Sequence, residues 1–232
     1  MDFGEIEITD FDKYLPAKPK SNLHPLLFQP NFGCILCGST GSGKTNLLLN
    51  ALTNWYVFDS AWIFLKDPEE DKYQLLDALY QEIQKKRPNF EYLITNDISL
   101  IPDPNQLDPK GQHFFVFDDL LTDKNSHAYI EEIAIRGRKR GISWFYLAQG
   151  FYEITKLIRS NAMYVCLWRV DKKNLIEFYK TFGLGVDSSS FYKMFKYATD
   201  KKHNFFMIDN KTDQNNLRFR RNLDDIDIHN RF

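Results

Sequence analysis

The sequence predicts an α/β fold: a three-layer sandwich with a mostly parallel central sheet and a C-terminal β-hairpin. Three observations predict it. Short apolar runs alternate with helical stretches from residue 32 onward. Those runs are apolar throughout rather than alternating with polar residues, as expected of strands covered on both faces. Near the end, "NFFMIDNKTDQNNLRFR" carries two short strand-like pieces around a polar turn, the pattern of a β-hairpin.

The elements follow in order. Residues 1–30 carry Pro16, Pro19, Pro25 and Pro30 and mixed charge, and read as an irregular arm that lies across the domain or reaches a neighbour. "FGCIL" (32–36) is the first buried strand, and "KTNLLLNALTNW" after it reads as a helix. "AWIFL" (61–65) is the second strand. In "DKYQLLDALYQEIQKKR", Leu75, Leu76, Leu79 and Ile83 recur at helical spacing. Lys85, Lys86 and Arg87 there suit the negative end of the helix dipole before Pro88. "HFFVF" (113–117), "ISWFYLA" (142–148) and "MYVCLW" (163–168) supply three further strands. The hairpin falls in 203–221, with a tail over 222–232, so that 31–232 form one domain.

Bulk properties narrow the function. Net charge is −1 over 232 residues, so a nucleic-acid partner would need a local basic patch. Three cysteines, Cys34, Cys37 and Cys166, are too few and too scattered for a disulfide framework and point to a reducing compartment. Cys34 and Cys37 form a C-x-x-C, but no second pair or His cluster completes a zinc site, and both read as buried strand thiols. The acidic start "MDFGEIEITDFDKY" lacks the apolar core of a signal peptide. No run approaches a membrane span. A soluble intracellular protein is expected.

The chemistry centres on "CGSTGSGKT" (37–45). Gly38-x-x-x-x-Gly43-Lys44-Thr45, between a strand and a helix, matches the P-loop pattern. Glycine lets backbone N–H groups converge on phosphate oxygens, so Gly38, Ser39, Thr40, Gly41, Ser42 and Gly43 form the cradle. Lys44 reaches the β and γ phosphates, and Thr45 offers a hydroxyl to Mg2+. The fold class is thereby refined to the P-loop NTPase sandwich of the RecA-like, ASCE kind. In "FFVFDDL", Asp118 directly follows an apolar strand, where a Mg2+-supporting acid belongs. Asp119 stands where a carboxylate orients the attacking water. "AWIFL" intervenes between the P-loop strand and the Asp118 strand, an order that fits the hydrolytic branch. ATP is the expected nucleotide. Gln149 ends the strand "WFYLA" and can sense a γ-phosphate. "RGRKRG" packs Arg136, Arg138, Lys139 and Arg140 into five residues. That turn is a solvated basic loop, a contact for DNA phosphates, or a finger reaching a neighbour's γ-phosphate.

"GSTGSGKTNLL", "FFVFDDL", "RGRKRGISWFYLAQGFYEITKLIRSNA" and "FFMIDN…LRFR" together resemble the viral genome-packaging ATPases of the FtsK/HerA superfamily. The similarity is to the poxvirus type found in large DNA viruses and virophages, over about residues 26–221. The resemblance implies an ATP- and Mg2+-dependent motor that drives double-stranded DNA into a preformed capsid as a ring of five or six subunits. It would work at viral assembly sites in the host cytoplasm or with the virion, against portal or vertex proteins. It implies Lys44 and Thr45 as nucleotide and metal contacts, Asp118 as metal support, Asp119 as catalytic carboxylate, Gln149 as sensor and Arg138 as the trans-acting arginine, with Arg136 and Arg140 as neighbours. Asp119 departs from the Glu more often found there and is one methylene shorter, so that the water sits closer or the loop shifts. Basic residues lining the pore would be Lys172 and Lys173 or the "RKR" turn. A ring-forming helicase or conjugation motor, and a nucleotide-binding capsid scaffold, are the alternatives.

Overall fold

The computed structural model describes residues 23–120, 124–183, 185–212, 215–226 and 228–232. The arm expected over 1–30 therefore lies outside the described residues up to 22. Residues 23–32 run in irregular turns, and Phe28 is fully buried. Tyr56 Oη donates to the Phe28 carbonyl at 2.7 Å, and Tyr164 Oη accepts from the Gln29 N–H at 3.1 Å.

Eight strands form one sheet: β1 (Gly33–Cys37), β2 (Ser60–Leu65), β3 (Glu91–Thr95), β4 (His113–Asp118), β5 (Ile142–Ala148), β6 (Tyr164–Leu167), β7 (Phe206–Asp209) and β8 (Phe219–Arg221). Their spatial order is β3-β2-β4-β5-β1-β6-β7-β8. The first six pair in parallel, and β7 and β8 add antiparallel. Each parallel strand returns through a helix or a longer crossover, as parallel neighbours require. The helices are α1 (Lys44–Asn50), whose last turns widen to a π form over Ala51–Trp55, α2 (Asp71–Lys86), α3 (Lys124–Arg136), α4 (Lys156–Asn161), α5 (Lys172–Phe182), α6 (Ser188–Ala198) and the short α7 (Asn215–Arg218). None among the described residues is long and apolar enough to cross a membrane.

Two cores cover the two sheet faces, which makes the three layers. Cys34 and Leu36 point to one face with Leu48, Tyr73, Leu76 and Tyr80 of α1 and α2. Ile35 and Cys37 point to the other with residues of α3 through α6. This is the period-2 alternation of a strand whose two faces are both buried. All three cysteines are free and buried, and burial pushes the Cys37 thiol up to about 12, so they are packing residues as read.

The structure corrects three expectations and adds a strand. The intervening strand in the sheet is β5, not "AWIFL", because β2 pairs with the outer side of β4. The buried stripe of α2 is Tyr73, Leu76 and Tyr80; Leu75 is 69% and Leu79 40% exposed. Two tyrosines took inward positions: the Tyr80 ring reaches the aromatic cluster of Phe58, Phe90 and Tyr92, and the Tyr73 hydroxyl reaches Asp118. The C-terminal hairpin forms, but residues 210–218 and α7 join its strands instead of a tight polar turn. β3, "EYLIT", was not anticipated: it is a half-exposed edge strand with little apolar signal.

Candidate functional site

Every parallel strand ends at the same edge of the sheet, and the site is built there. β1 runs out at Cys37, and the Gly38 N–H donates to the Ala148 carbonyl at 3.1 Å, which pins the loop's start beside β5. Gly41 and Gly43 take left-handed φ values of 73° and 116°. A side chain at either would be strained, and Gly43 at the helix start turns the backbone N–H groups of α1 outward as a phosphate cradle requires. A Cβ at Gly38 would meet the Trp168 side chain at 2.6 Å, so glycine is also a packing requirement there.

Lys44 is buried against this loop and donates from Nζ to the Gly38 carbonyl at 2.7 Å and the Ser39 carbonyl at 3.2 Å. Burial lowers its pKa, and the Asp118 charge opposes that. Register places Asp118 beside Leu147 across β4 and β5, and Cys37 beside Ala148 across β1 and β5. Asp118 thus faces the P-loop across the end of β5. Burial pushes its carboxyl up to about 6, against a lowering contribution from Tyr73, whose hydroxyl donates to Oδ2 at 2.5 Å, and from Lys44.

Asp119 has φ 56°, in the left-handed region, which Asp tolerates better than most residues. Its N–H donates to the Leu147 carbonyl at 3.3 Å. The kink turns its carboxylate toward Gln149, whose Nε2 donates to Asp119 Oδ2 at 3.5 Å. Local strain of this kind is concentrated at functional sites. A cleft of about 260 Å³ joins these groups, lined by Thr40 through Thr45, Asp118, Asp119 and Gln149, and on its outer wall by Lys66, Asp67, Glu70 and Lys72.

Of the sequence-predicted residues, Thr40 through Thr45, Asp118, Asp119 and Gln149 therefore share the cleft, Gly38 and Ser39 lie at the loop's start, and the basic turn does not join them. Gly137–Arg140 forms a 3-10 turn at the opposite end of β5. The seven residues of β5 separate it from Gln149, about 20 Å at ~3.3 Å per residue. Arg136 pairs with Glu132 at 3.0 Å, and Arg140 donates to the Pro104 carbonyl at 3.4 Å. Arg138 is exposed and, among the described residues, makes no hydrogen bond or ion pair.

Two contributors were missed in the sequence. Tyr73 lies two residues into α2 with nothing in "EEDKYQLL" to mark it except an aromatic at an inward helix position. His203 touches the loop from the C-terminal extension: its Nδ1 lies 3.1 Å from the Ser42 carbonyl. The His203 carbonyl accepts from Trp168 Nε1 at 3.0 Å. A polar link between segments 161 residues apart leaves no local sequence trace.

The donor set at the cleft fits a hard divalent cation. Thr45 and Asp118 offer oxygen only, and burial raises the Asp118 carboxyl, a charge that a cation would stabilise. Among the described residues no three His, Cys, Asp or Glu gather to hold a metal alone. Mg2+ that accompanies a nucleotide needs only one or two carboxylates beside the phosphates.

A model of the Poxvirus A32 protein family matches residues 22–231 of the chain. Among solved structures the fold is similar to the genome packaging NTPase B204 from Sulfolobus turreted icosahedral virus 2. Its AMPPCP complex shares 13% identity at a TM-score of 0.56, covering 81% of this chain and 96% of that chain. Its ATP-gammaS complex shares 12% at 0.54 with the same coverage. At such identities the likeness is one of fold. No curated protein matches the chain.

Proposed function

The chain belongs to the Poxvirus A32 protein family, and on that premise we propose that it is an ATP-hydrolysing motor that translocates double-stranded DNA into a preformed viral capsid. The observation that carries the reading is the division of the catalytic parts between two ends of one sheet. Lys44, Thr45, Asp118, Asp119 and Gln149 share a cleft at the C-terminal ends of the strands. Arg138 stands exposed at the other end of β5, too far to serve its own cleft. An exposed arginine so placed can complete a neighbour's site in a head-to-tail ring of five or six subunits.

Each group then has a task set by its position. Lys44 leaves its loop carbonyls to neutralise charge on the β and γ oxygens. Asp119, held by Gln149, orients a water for attack on the γ-phosphate and draws its proton. Gln149 reads the γ-phosphate. A neighbour's Arg138 stabilises the charge that spreads over the γ oxygens in the transition state, a contribution of ~10³-fold or more in enzymes that use such a finger. Thr45 and Asp118 would hold Mg2+, which would supply charge neutralisation to the phosphates. Domain limits of 31–232, capsid portal or vertex contacts, and action at viral assembly sites in the host cytoplasm belong to the same reading.

The test is turnover against protein concentration, with and without duplex DNA. The motor reading expects activity per subunit to rise steeply as rings form and to rise again with double-stranded DNA, with no strand separation at a fork. Concentration-independent turnover that ignores DNA would overturn it. Separation of strands would move the chain to the helicases.

A further inference from the structure

The proposed motor needs a surface that holds DNA, and the near-neutral chain must concentrate charge locally to provide one. Two basic regions compete: the Gly137–Arg140 turn and the first turns of α5. The second carries a feature that the first lacks, a mechanical connection to Gln149.

Gln149 directly follows β5, and Tyr152 comes three residues later in the turn before α4. The Tyr152 N–H donates to Asn174 Oδ1 at 2.9 Å. Asn174 sits in the first turn of α5, where its own N–H donates to Asp171 Oδ1 at 2.9 Å and its Nδ2 to Asp171 Oδ2 at 2.8 Å. Between Gln149 and Tyr152, Phe151 is fully buried, with ring centroids 5.1 Å from Phe178 and 5.8 Å from Phe182 of α5. The turn and the helix are thus clamped by one aromatic cluster inside and one amide outside. A shift of Gln149 carries α5 with it, because close-packed aromatic contacts do not deform continuously.

The outer side of this block is basic. Lys172, Lys173 and Lys180 line a shallow groove with Tyr152, Ile176 and Glu177. The Lys173 ammonium lies 3.8 Å above the Tyr152 ring, and Tyr152 is 52% exposed. Glu153 stands exposed beside Tyr152, but the two acids on or next to α5 are engaged. Glu177 pairs with Arg159 at 2.7 Å, and Asp171 caps the helix. Lys172 and Lys180 are eight positions apart, about 12 Å along a helix. That is about the width of the B-DNA major groove between its two phosphate rows. Lysine ammoniums and a tyrosine hydroxyl donate to phosphate oxygens without reading sequence, which suits a motor that must pass any genome.

We infer that Tyr152, Lys172, Lys173 and Lys180 form the face that grips the DNA backbone, and that Gln149 moves it through Phe151 and Asn174. The inference rests on the proposed function but is separable from it. The experiment is duplex-DNA binding across a salt series with the full chain, alongside ATP turnover. Each lysine–phosphate contact contributes about 0.9 to the slope of log K against log salt, so Lys172→Ala, Lys173→Ala and Lys180→Ala together are expected to flatten the slope by about 2.7. Arginine at the same three positions is expected to restore it, which separates lost charge from lost folding. Asn174→Ala, which cuts the amide clamp without removing charge, is expected to keep the slope and lose the stimulation of turnover by DNA. If wild type binds DNA and the alanine variant keeps its slope while Arg138→Ala with Lys139→Ala loses it, the grip lies on the basic turn and this inference is overturned while the motor reading stands. Full DNA stimulation in Asn174→Ala would overturn the link to Gln149. Wild type that binds no duplex at any salt would overturn both.

Discussion

Arg220 offers a quantitative test of how the C-terminal extension is held. The residue is only 2% exposed, and its guanidinium reaches four oxygen acceptors: Asp209 Oδ2 at 2.6 Å, the Leu217 carbonyl at 2.7 Å, the Leu26 carbonyl at 2.8 Å and the Leu223 carbonyl at 3.4 Å. It ties β7, β8 and the entry segment into one unit. Arg220→Met keeps the apolar stem and strands the carboxylate. Removing one partner of a buried pair typically costs about 3–5 kcal/mol. At about 2–4 °C per kcal/mol for a chain of this size, Tm should fall by roughly 6–20 °C. Burial already raises the Asp209 carboxyl, and Arg220 is among the groups that lower it, so in the variant it rises further. A carboxyl whose folded pKa exceeds its unfolded one binds more protons when folded, so its contribution to stability falls as pH rises between the two values. The deficit of Arg220→Met should therefore shrink on going from pH 8 to pH 5. Urea unfolding at both pH values measures it, and Asp209→Leu added to Arg220→Met should recover most of the loss. A deficit below about 1 kcal/mol, or one that ignores pH, would refute the reasoning that this pair is a buried charge held by its partner.

Three further outcomes concern the cleft. Asp119→Asn should bind nucleotide with Mg2+ yet lose turnover, whereas Asp118→Asn should lose metal-dependent affinity; equal losses of affinity, read by titration with a fluorescent nucleotide, would mean the roles are misassigned. Because Asp118 is pushed up to about 6, protons should compete with the cation below that pH and turnover should fall on an acid limb near 6. Tyr73→Phe removes a bond that favours the carboxylate, so the limb should move to higher pH, by about one unit if the bond is worth ~1.5 kcal/mol; a pH–rate profile that does not move would remove Tyr73 from the site. Lys44→Ala should abolish turnover and weaken nucleotide binding, and unchanged hydrolysis would remove the phosphate-cradle assignment.

What could be read in the sequence was what short-range chemistry dictates. The P-loop, the carboxylates after "FFVF" and Gln149 each stand directly at a strand end, so local pattern located them. The five parallel strands that were read are nearly continuous apolar runs, and all sit inside the sheet. β3 was missed because an edge strand keeps polar residues and has no such run. The buried stripe of α2 was misread because leucine outranks tyrosine in any apolar count, although Tyr73 and Tyr80 are the fully buried residues, Tyr80 among aromatic neighbours and Tyr73 on Asp118. Spatial order of strands, and the contacts of Tyr73 with Asp118 and of His203 with Ser42, depend on pairings far apart in the chain. Periodicity carries no information about those.

The central claim is that the active site is shared between subunits, and mixing two dead variants tests it most directly. Arg138→Ala keeps an intact P-loop, and Lys44→Ala keeps an intact Arg138. Each alone should be nearly inactive, and Arg138→Ala should still bind ATP. In rings assembled from equal amounts, roughly a quarter of head-to-tail interfaces would pair a working loop with a working arginine. ATP turnover of the mixture should therefore rise well above either variant alone. A mixture no more active than its parts, with mixed rings shown to form, would contradict the claim and return Arg138 to a solvated charge on a turn.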